Sequence, residues 1–234
     1  MTPEVTCLIP AHNEAPRIAA VLRAALHHPL IACVIVVDDG STDGTAQIAQ
    51  DAGAEVLRLH PNRGKTAALA QALAQVGTSH VMLLDADLTG LHPTDLTRLI
   101  APVLRRQTDV SLSLRGNAPR LWHWLGVDYI TGERVLPMAL LTPCLHQLPD
   151  LPRFGLEVFL NNRIRAAGLP IAIVRWNNVA SPSKSSKRGW LAGVRADIAM
   201  LRDISRTVSP LTALRQIAFL RAAATKRDRS VAGL

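Results

Sequence analysis

The chain has 234 residues, 48% of them apolar and 19% charged, enough for one globular domain with a substantial core and a small appendage. No stretch approaches the ~18 uninterrupted apolar residues of a membrane span, and three cysteines without paired spacing exclude a disulfide framework or a structural zinc site. The net charge of +8 is concentrated in residues 184–234, where eleven Lys or Arg face three Asp, so this segment is aimed at something anionic.

In chain order, Val5 to Pro10 is a short apolar run, followed by a polar turn and an amphipathic segment from Pro16 to about Leu26. This reads as strand, loop and helix. The unit recurs with Cys33 to Val37, the turn Asp38-Asp39-Gly40-Ser41 and a helix from about Thr42 to Gly53. It recurs again with Glu55 to Leu59, Asn62-Arg63-Gly64-Lys65 and an alanine-rich helix from Thr66. The fourth unit is a strand from Val81 to Asp87, then a helix from Pro93 to about Arg105. Later strands are expected at Asp109–Leu114 and Leu169–Trp176, with a helix from Gly155 to Ala167 that stops at Gly168. Beyond Ser181-Pro182-Ser183, Trp190, Leu191, Val194, Ile198, Leu201 and Ile204 recur at helical intervals, and a second amphipathic helix follows Pro210.

Strands alternating with helices predict an α/β fold, a mostly parallel sheet flanked by helices on both faces. The expected organisation is a nucleotide-binding half over residues 1–110, an acceptor half of the same domain over 111–183, and a basic amphipathic helical tail over 184–234. The start Met-Thr-Pro-Glu-Val-Thr has no basic leader, so a cytoplasmic protein is expected. The cysteines fall in apolar contexts and are expected to be reduced core residues.

The most informative residues are Leu84-Asp85-Ala86-Asp87, an apolar strand that ends in two carboxylates. Ionised carboxylates at the edge of a core call for a partner cation. In an open α/β sheet the carboxyl ends of the strands face the ligand crevice, and hard oxygen ligands suit Mg²⁺ or Mn²⁺ bridging to a diphosphate. Pro10-Ala11-His12-Asn13-Glu14 opens on the same crevice, where Asn13 and Glu14 are able to read a base or ribose, or to cap the next helix. Asp38 or Asp39 can accept from a base while Gly40 permits close backbone approach. The chain lacks the Gly-x-Gly-x-x-Gly of dinucleotide folds and the earlier glycine of a P-loop.

Taken together, Ile9–Glu14, Val36–Asp43, Asn62–Lys65 and Leu84–Asp87 resemble the nucleotide-sugar-dependent glycosyltransferases of the GT-A fold, a large family (family 2-like) that includes polyprenol-phosphate sugar transferases. The resemblance implies a UDP- or GDP-sugar donor, with Pro10, Ala11, Asn13 and Glu14 around the nucleoside and Asp38 or Asp39 on the base. It also implies Lys65 near base or phosphates, and Asp85, Ala86 and Asp87 at ribose, metal and diphosphate. Asp87 is thereby both metal ligand and catalytic residue. His12 stands where most members carry Tyr.

Three further patches are similar to the family: Thr131 to Pro137, Phe154-Gly155-Leu156-Glu157, and Ser183-Lys184. They imply Glu157 as acceptor ligand or general base, against a plain helix-terminal carboxylate, with Glu133 and Arg134 as an internal ion pair. The patches also resemble the retaining synthase type that makes glucosyl-3-phosphoglycerate, although the stretch Trp176 to Lys184 lacks that type's late histidine. The implied acceptor is a lipid, a polyprenol phosphate or a small phosphorylated molecule. Rival readings are a nucleotidyltransferase and an inactive nucleotide-sugar-binding subunit. The basic tail fits either an anionic membrane surface at the cytoplasmic face or a solvated helix packed on the domain. Sparse aromatic residues and the lack of a groove-reading motif argue against nucleic acid.

Overall fold

A computed structural model describes residues 4–151, 155–181 and 207–231. Phe154, Ser183, Lys184 and the apolar positions from Trp190 to Ile204 lie outside the described residues. Seven strands form one sheet: β1 (Val5–Ala11), β2 (Ile31–Asp39), β3 (Glu55–Leu59), β4 (His80–Leu83), β5 (Val110–Arg115), β6 (Arg134–Pro137) and β7 (Ile171–Trp176). Their order is β3-β2-β1-β4-β6-β5-β7, parallel throughout except for β6, which runs antiparallel to both β4 and β5.

The central strands are apolar on both faces because helices cover both. One face packs α1 (Ile18–Ala25), α2 (Thr45–Asp51) and α4 (Pro93–Leu104) over Cys7, Ile9, Val34 and Val36. The other packs α3 (Lys65–Leu73), the 3₁₀ segment Thr142–Asp150, α7 (Gly155–Ala166) and the final helix α8 (Pro210–Val231) over Leu8, Ile35, Val37 and Leu112. Between β5 and β6 the chain makes the short helix α5 (Arg120–Leu125), and α6 (Met138–Leu141) follows β6 directly. The three-layer α/β architecture agrees with the sequence-based expectation. Cys7 and Cys144 are buried, Cys33 is partly buried, and all three are free thiols.

One boundary differs in a way that matters. The strand expected to run from Val81 to Asp87 ends at Leu83, because its partner β6 begins at Arg134, opposite Leu83. Leu84 still donates its N–H to the Leu8 carbonyl, and the chain then leaves the sheet. Asp85 and Asp87 therefore stand on a loop at the crevice, free of ladder hydrogen bonds. Among the described residues no helix is long and apolar enough to cross a membrane.

Candidate active site

The cleft lies at the carboxyl edge of the parallel strands, where such folds bind ligands. It has a volume of about 470 Å³ and is lined by Pro10, Ala11, His12, Glu14, Asp39, Lys65, Asp85, Ala86, Asp87 and Ser181. Asn13 and Asp38 do not line it. Asn13 adopts a left-handed turn (φ 56°), and its Oδ1 accepts the Thr42 N–H at 2.9 Å. Asp38 and Asp39 are neighbours in a strand and so face opposite ways. Asp38 lines a separate cavity of about 320 Å³ and accepts the Ser41 N–H.

Asp39 is buried, and its two carboxylate oxygens accept the N–H groups of Arg63 and Gly64, each at 2.8 Å. Those amides immediately precede Lys65, the first residue of α3, so Asp39 fixes the start of the helix that presents the lysine. His12 Nδ1–H donates to the Asp39 carbonyl at 2.9 Å, tying the β1 loop to the end of β2. Gly40 makes the turn at φ +73°, where a Cβ would lie 3.0 Å from the Asn62 nitrogen, so no larger residue closes this junction without strain. Glu14 pairs with Arg17 at 2.7 Å at the cleft edge.

Lys65 Nζ stands 2.9 Å from Asp85 Oδ1 and 3.5 Å from Glu157 Oε1, bringing α3, the β4 loop and the first turn of α7 to one point. Burial opposes ionisation of Asp85, but Lys65 and then Arg115 override it and hold the carboxyl down at about 2. Burial also disfavours the charged form of Lys65, yet Asp85 and Glu157 raise its pKa well above the usual lysine value. Ser181 Oγ donates to Asp87 Oδ2 at 2.9 Å, and Asn117 Nδ2 holds the Ser181 carbonyl at 2.7 Å.

Behind Asp85 lies a charge cluster that the sequence did not reveal. Arg115, the last residue of β5, places its guanidinium 3.8 Å from Asp85, 3.3 Å from Glu133 and 3.9 Å from Asp128. Glu133 is fully buried and accepts from Ser113 at 2.6 Å and from Thr131 at 2.8 Å. Its burial raises the pKa to about 7 in spite of Arg115. The ion pair expected between Glu133 and Arg134 gives way to this one, because Glu133, just before β6, is taken up by Ser113, Thr131 and Arg115. Arg134 instead bonds the Thr131 carbonyl and Asn161. Gly132 closes the cluster: a Cβ there would lie 2.6 Å from both Asp85 carboxylate oxygens. The available signal was the alternation Val110-Ser111-Leu112-Ser113-Leu114-Arg115, which turns two serines inward and delivers an arginine at the crevice end.

Asp85 and Asp87 offer hard oxygen donors from a single loop, and no cluster of three or more His, Cys, Asp or Glu side chains suited to a metal is found among the described residues. That donor set suits an ion that completes its shell with phosphate and water.

The family model described as "Glycosyl transferase family 2" matches residues 6–131. Glycosyltransferase AglJ of Haloferax volcanii is 38% identical over 104 residues, 44% of this chain and 33% of that protein. A 4,4'-diaponeurosporenoate glycosyltransferase of Staphylococcus aureus is 35% identical over 101 residues, 41% of this chain and 27% of that protein. The matched part is thus about a third or less of the length of these relatives. Among solved structures, glucosyl-3-phosphoglycerate synthase of Mycobacterium tuberculosis superposes with a TM-score of 0.65 and 26% identity, covering 88% of this chain and 80% of that one, in a complex with Mn²⁺, UDP and glucosyl-3-phosphoglycerate. The same enzyme with Mn²⁺ and UDP-glucose gives a TM-score of 0.65, 27% identity and coverage of 88% and 79%. With a matching family model over more than half of its length and the fold and crevice described above, the chain belongs to glycosyl transferase family 2.

Proposed function

We propose that the protein transfers a sugar from a UDP- or GDP-sugar to an acceptor, with Asp85 and Asp87 holding Mg²⁺ or Mn²⁺ against the donor diphosphate. The observation that carries this reading is the convergence of both carboxylates with Lys65 at the mouth of a cleft of ligand size. The synthase complexes with Mn²⁺ and either UDP or UDP-glucose support it. When bound, such an ion neutralises charge developing on the departing diphosphate.

In this reading Pro10, Ala11 and Ala86 give the nucleoside a flat, close-fitting wall, and Glu14 and Asp39 supply the polar edge. Lys65 brings a fixed positive charge to the phosphates, and Asp39 holds it there through the backbone of Arg63 and Gly64. Glu157 orients the acceptor or takes its proton, since inversion at the sugar carbon needs a carboxylate beside the attacking hydroxyl. A phosphate acceptor needs no such base. Lys65, and Arg115 from behind, hold Asp85 in place and keep it ionised.

A second reading, a small phosphorylated acceptor, is favoured by the synthase superposition, which extends across 88% of the chain and so includes the half beyond β4. A thermal-shift panel of UDP- and GDP-sugars with and without Mn²⁺ tests the donor, and transfer assays with phosphoglyceric acid test this acceptor. A rise in melting temperature that needs both sugar nucleotide and Mn²⁺ is expected. No shift with any pair overturns the proposal.

A further inference from the structure

Away from the cleft, α5 and α8 enclose a groove of about 470 Å³ lined by Leu121, Trp122, Trp124, Leu125, Leu214 and Ile217 among others, almost wholly apolar. Its lips are exposed, Trp124 being 76% accessible and Leu214 63%, and Leu211, on the same helix but outside the groove lining, is 58% accessible. Helix α8 is anchored by its buried side, at the floor of the groove, where Tyr129 also lies. Gln216 and Leu220 are buried, and Gln216 Oε1 accepts the Tyr129 hydroxyl at 2.7 Å. The exposed leucines are therefore held outward by a fixed helix, where apolar area costs stability unless something covers it.

Charge identifies the occupant. The Arg221 guanidinium lies 5.9 Å from the centre of the Trp124 ring, and Arg120 and Arg215 are exposed on the same two helices. From Pro210 to Ala224 α8 carries Arg215 and Arg221 and no acid, and α5 has no acid at all. A second copy would oppose one basic rim to another. An amphiphile with an apolar chain and an anionic head satisfies both features, and a tryptophan beside an arginine at an apolar lip is the pairing that suits a lipid-water boundary.

We infer that the α5–α8 groove is a lipid-docking site that takes the acyl chain of an anionic phospholipid and sets its phosphate against the arginine rim. The site does not depend on the proposed chemistry, and neither Trp124 nor Leu214 belongs to the cleft.

The test uses the full chain with vesicles of phosphatidylcholine, alone or mixed with phosphatidylglycerol, some carrying bromine on the acyl chains. Trp122 and Trp176 are buried, and the fourth tryptophan is removed by Trp190→Phe in every sample. Chain-depth quenching then reports on Trp124 through the difference between that background, the wild type of this test, and Trp124→Phe made in it. The expected result is binding to the anionic vesicles, with bromine quenching that Trp124→Phe largely removes. Leu214→Glu should weaken partitioning about tenfold or more, from the loss of one buried leucine, without changing the melting temperature. Three results overturn the inference. One is absence of binding to anionic vesicles. Another is binding with equal quenching in wild type and Trp124→Phe, which means head-group adsorption alone. The third is self-association lost in Leu214→Glu with no lipid binding, which assigns the groove to a second copy.

Discussion

The two sides of β4 solve the same problem by different means. On the β1–β2–β3 side the crevice is built from backbone: Asp39 grips two consecutive amides, Asn13 and Gly40 make turns, and small residues line the wall. On the β6–β5 side it is built from buried charge, with Arg115 shared among Asp85, Asp128 and Glu133. The first arrangement depends on local chain geometry. The second depends on partners distant in sequence, and it loses most when one member is removed, since an unpaired buried charge is costly.

Four substitutions sharpen this contrast. The largest effect is expected from Asp87→Ala, where transfer should fall by roughly three orders of magnitude or more. Mn²⁺ affinity measured by calorimetry should drop with it while the fold persists; near-normal turnover would remove Asp87 from the chemistry. Next, Arg115→Met strands Glu133 and Asp128, and urea unfolding should register a loss of about 3–5 kcal/mol. A variant as stable as wild type would show that the cluster does not depend on this residue. Glu157→Gln should lower kcat roughly tenfold to a hundredfold for a hydroxyl acceptor, with the donor KM little changed. A matching rise in donor KM with kcat intact would instead assign Glu157 to donor binding.

The smallest effect is a pH dependence. Folded Glu133 keeps its proton up to about 7, whereas in the unfolded chain it ionises near 4.5. The folded state therefore binds more protons in that window, and its contribution falls as pH rises from about 4.5 through about 7. Asp85 works in the opposite sense, losing its contribution as pH falls from 3.8 toward about 2. In Glu133→Gln, melting temperatures between about pH 5 and about 7 should lose this downward slope. An unchanged slope would place that titration elsewhere.

The same contrast explains what could be read from the chain. The four strand-helix units, the turn at Gly40 and the placing of Asp85 and Asp87 at the crevice end of the fourth unit follow from periodicity and turn chemistry, which are local properties. The stop of β4 at Leu83 is instead set by its partner β6, and Lys65 is named through the family resemblance. Residues at the cleft could be named from the sequence, but Asn13 and Asp38 show the limit: a residue one position along a strand or turn faces another way. Strand β6, helix α5 and the Arg115 cluster carry no such local signature. Arg134 to Pro137 forms a strand only because β4 and β5 leave a gap between them, and Glu133 becomes buried only because Ser113, Thr131 and Arg115 satisfy it.

The reversed direction of β6 has a consequence for how such a molecule can diversify. Because β5 runs toward the crevice and β6 runs away from it, the intervening excursion from Gly116 to Glu133 both departs from and returns to the same rim. Its two ends are pinned, at Arg115 and at Gly132 against Asp85, while its middle, including α5, lies outside every strand ladder. That leaves its exposed stretch around Trp124 exchangeable: the surface there can be rewritten without shifting a strand register or the β1–β2–β3 side, so long as the buried Trp122, Asp128, Tyr129 and Thr131 are kept.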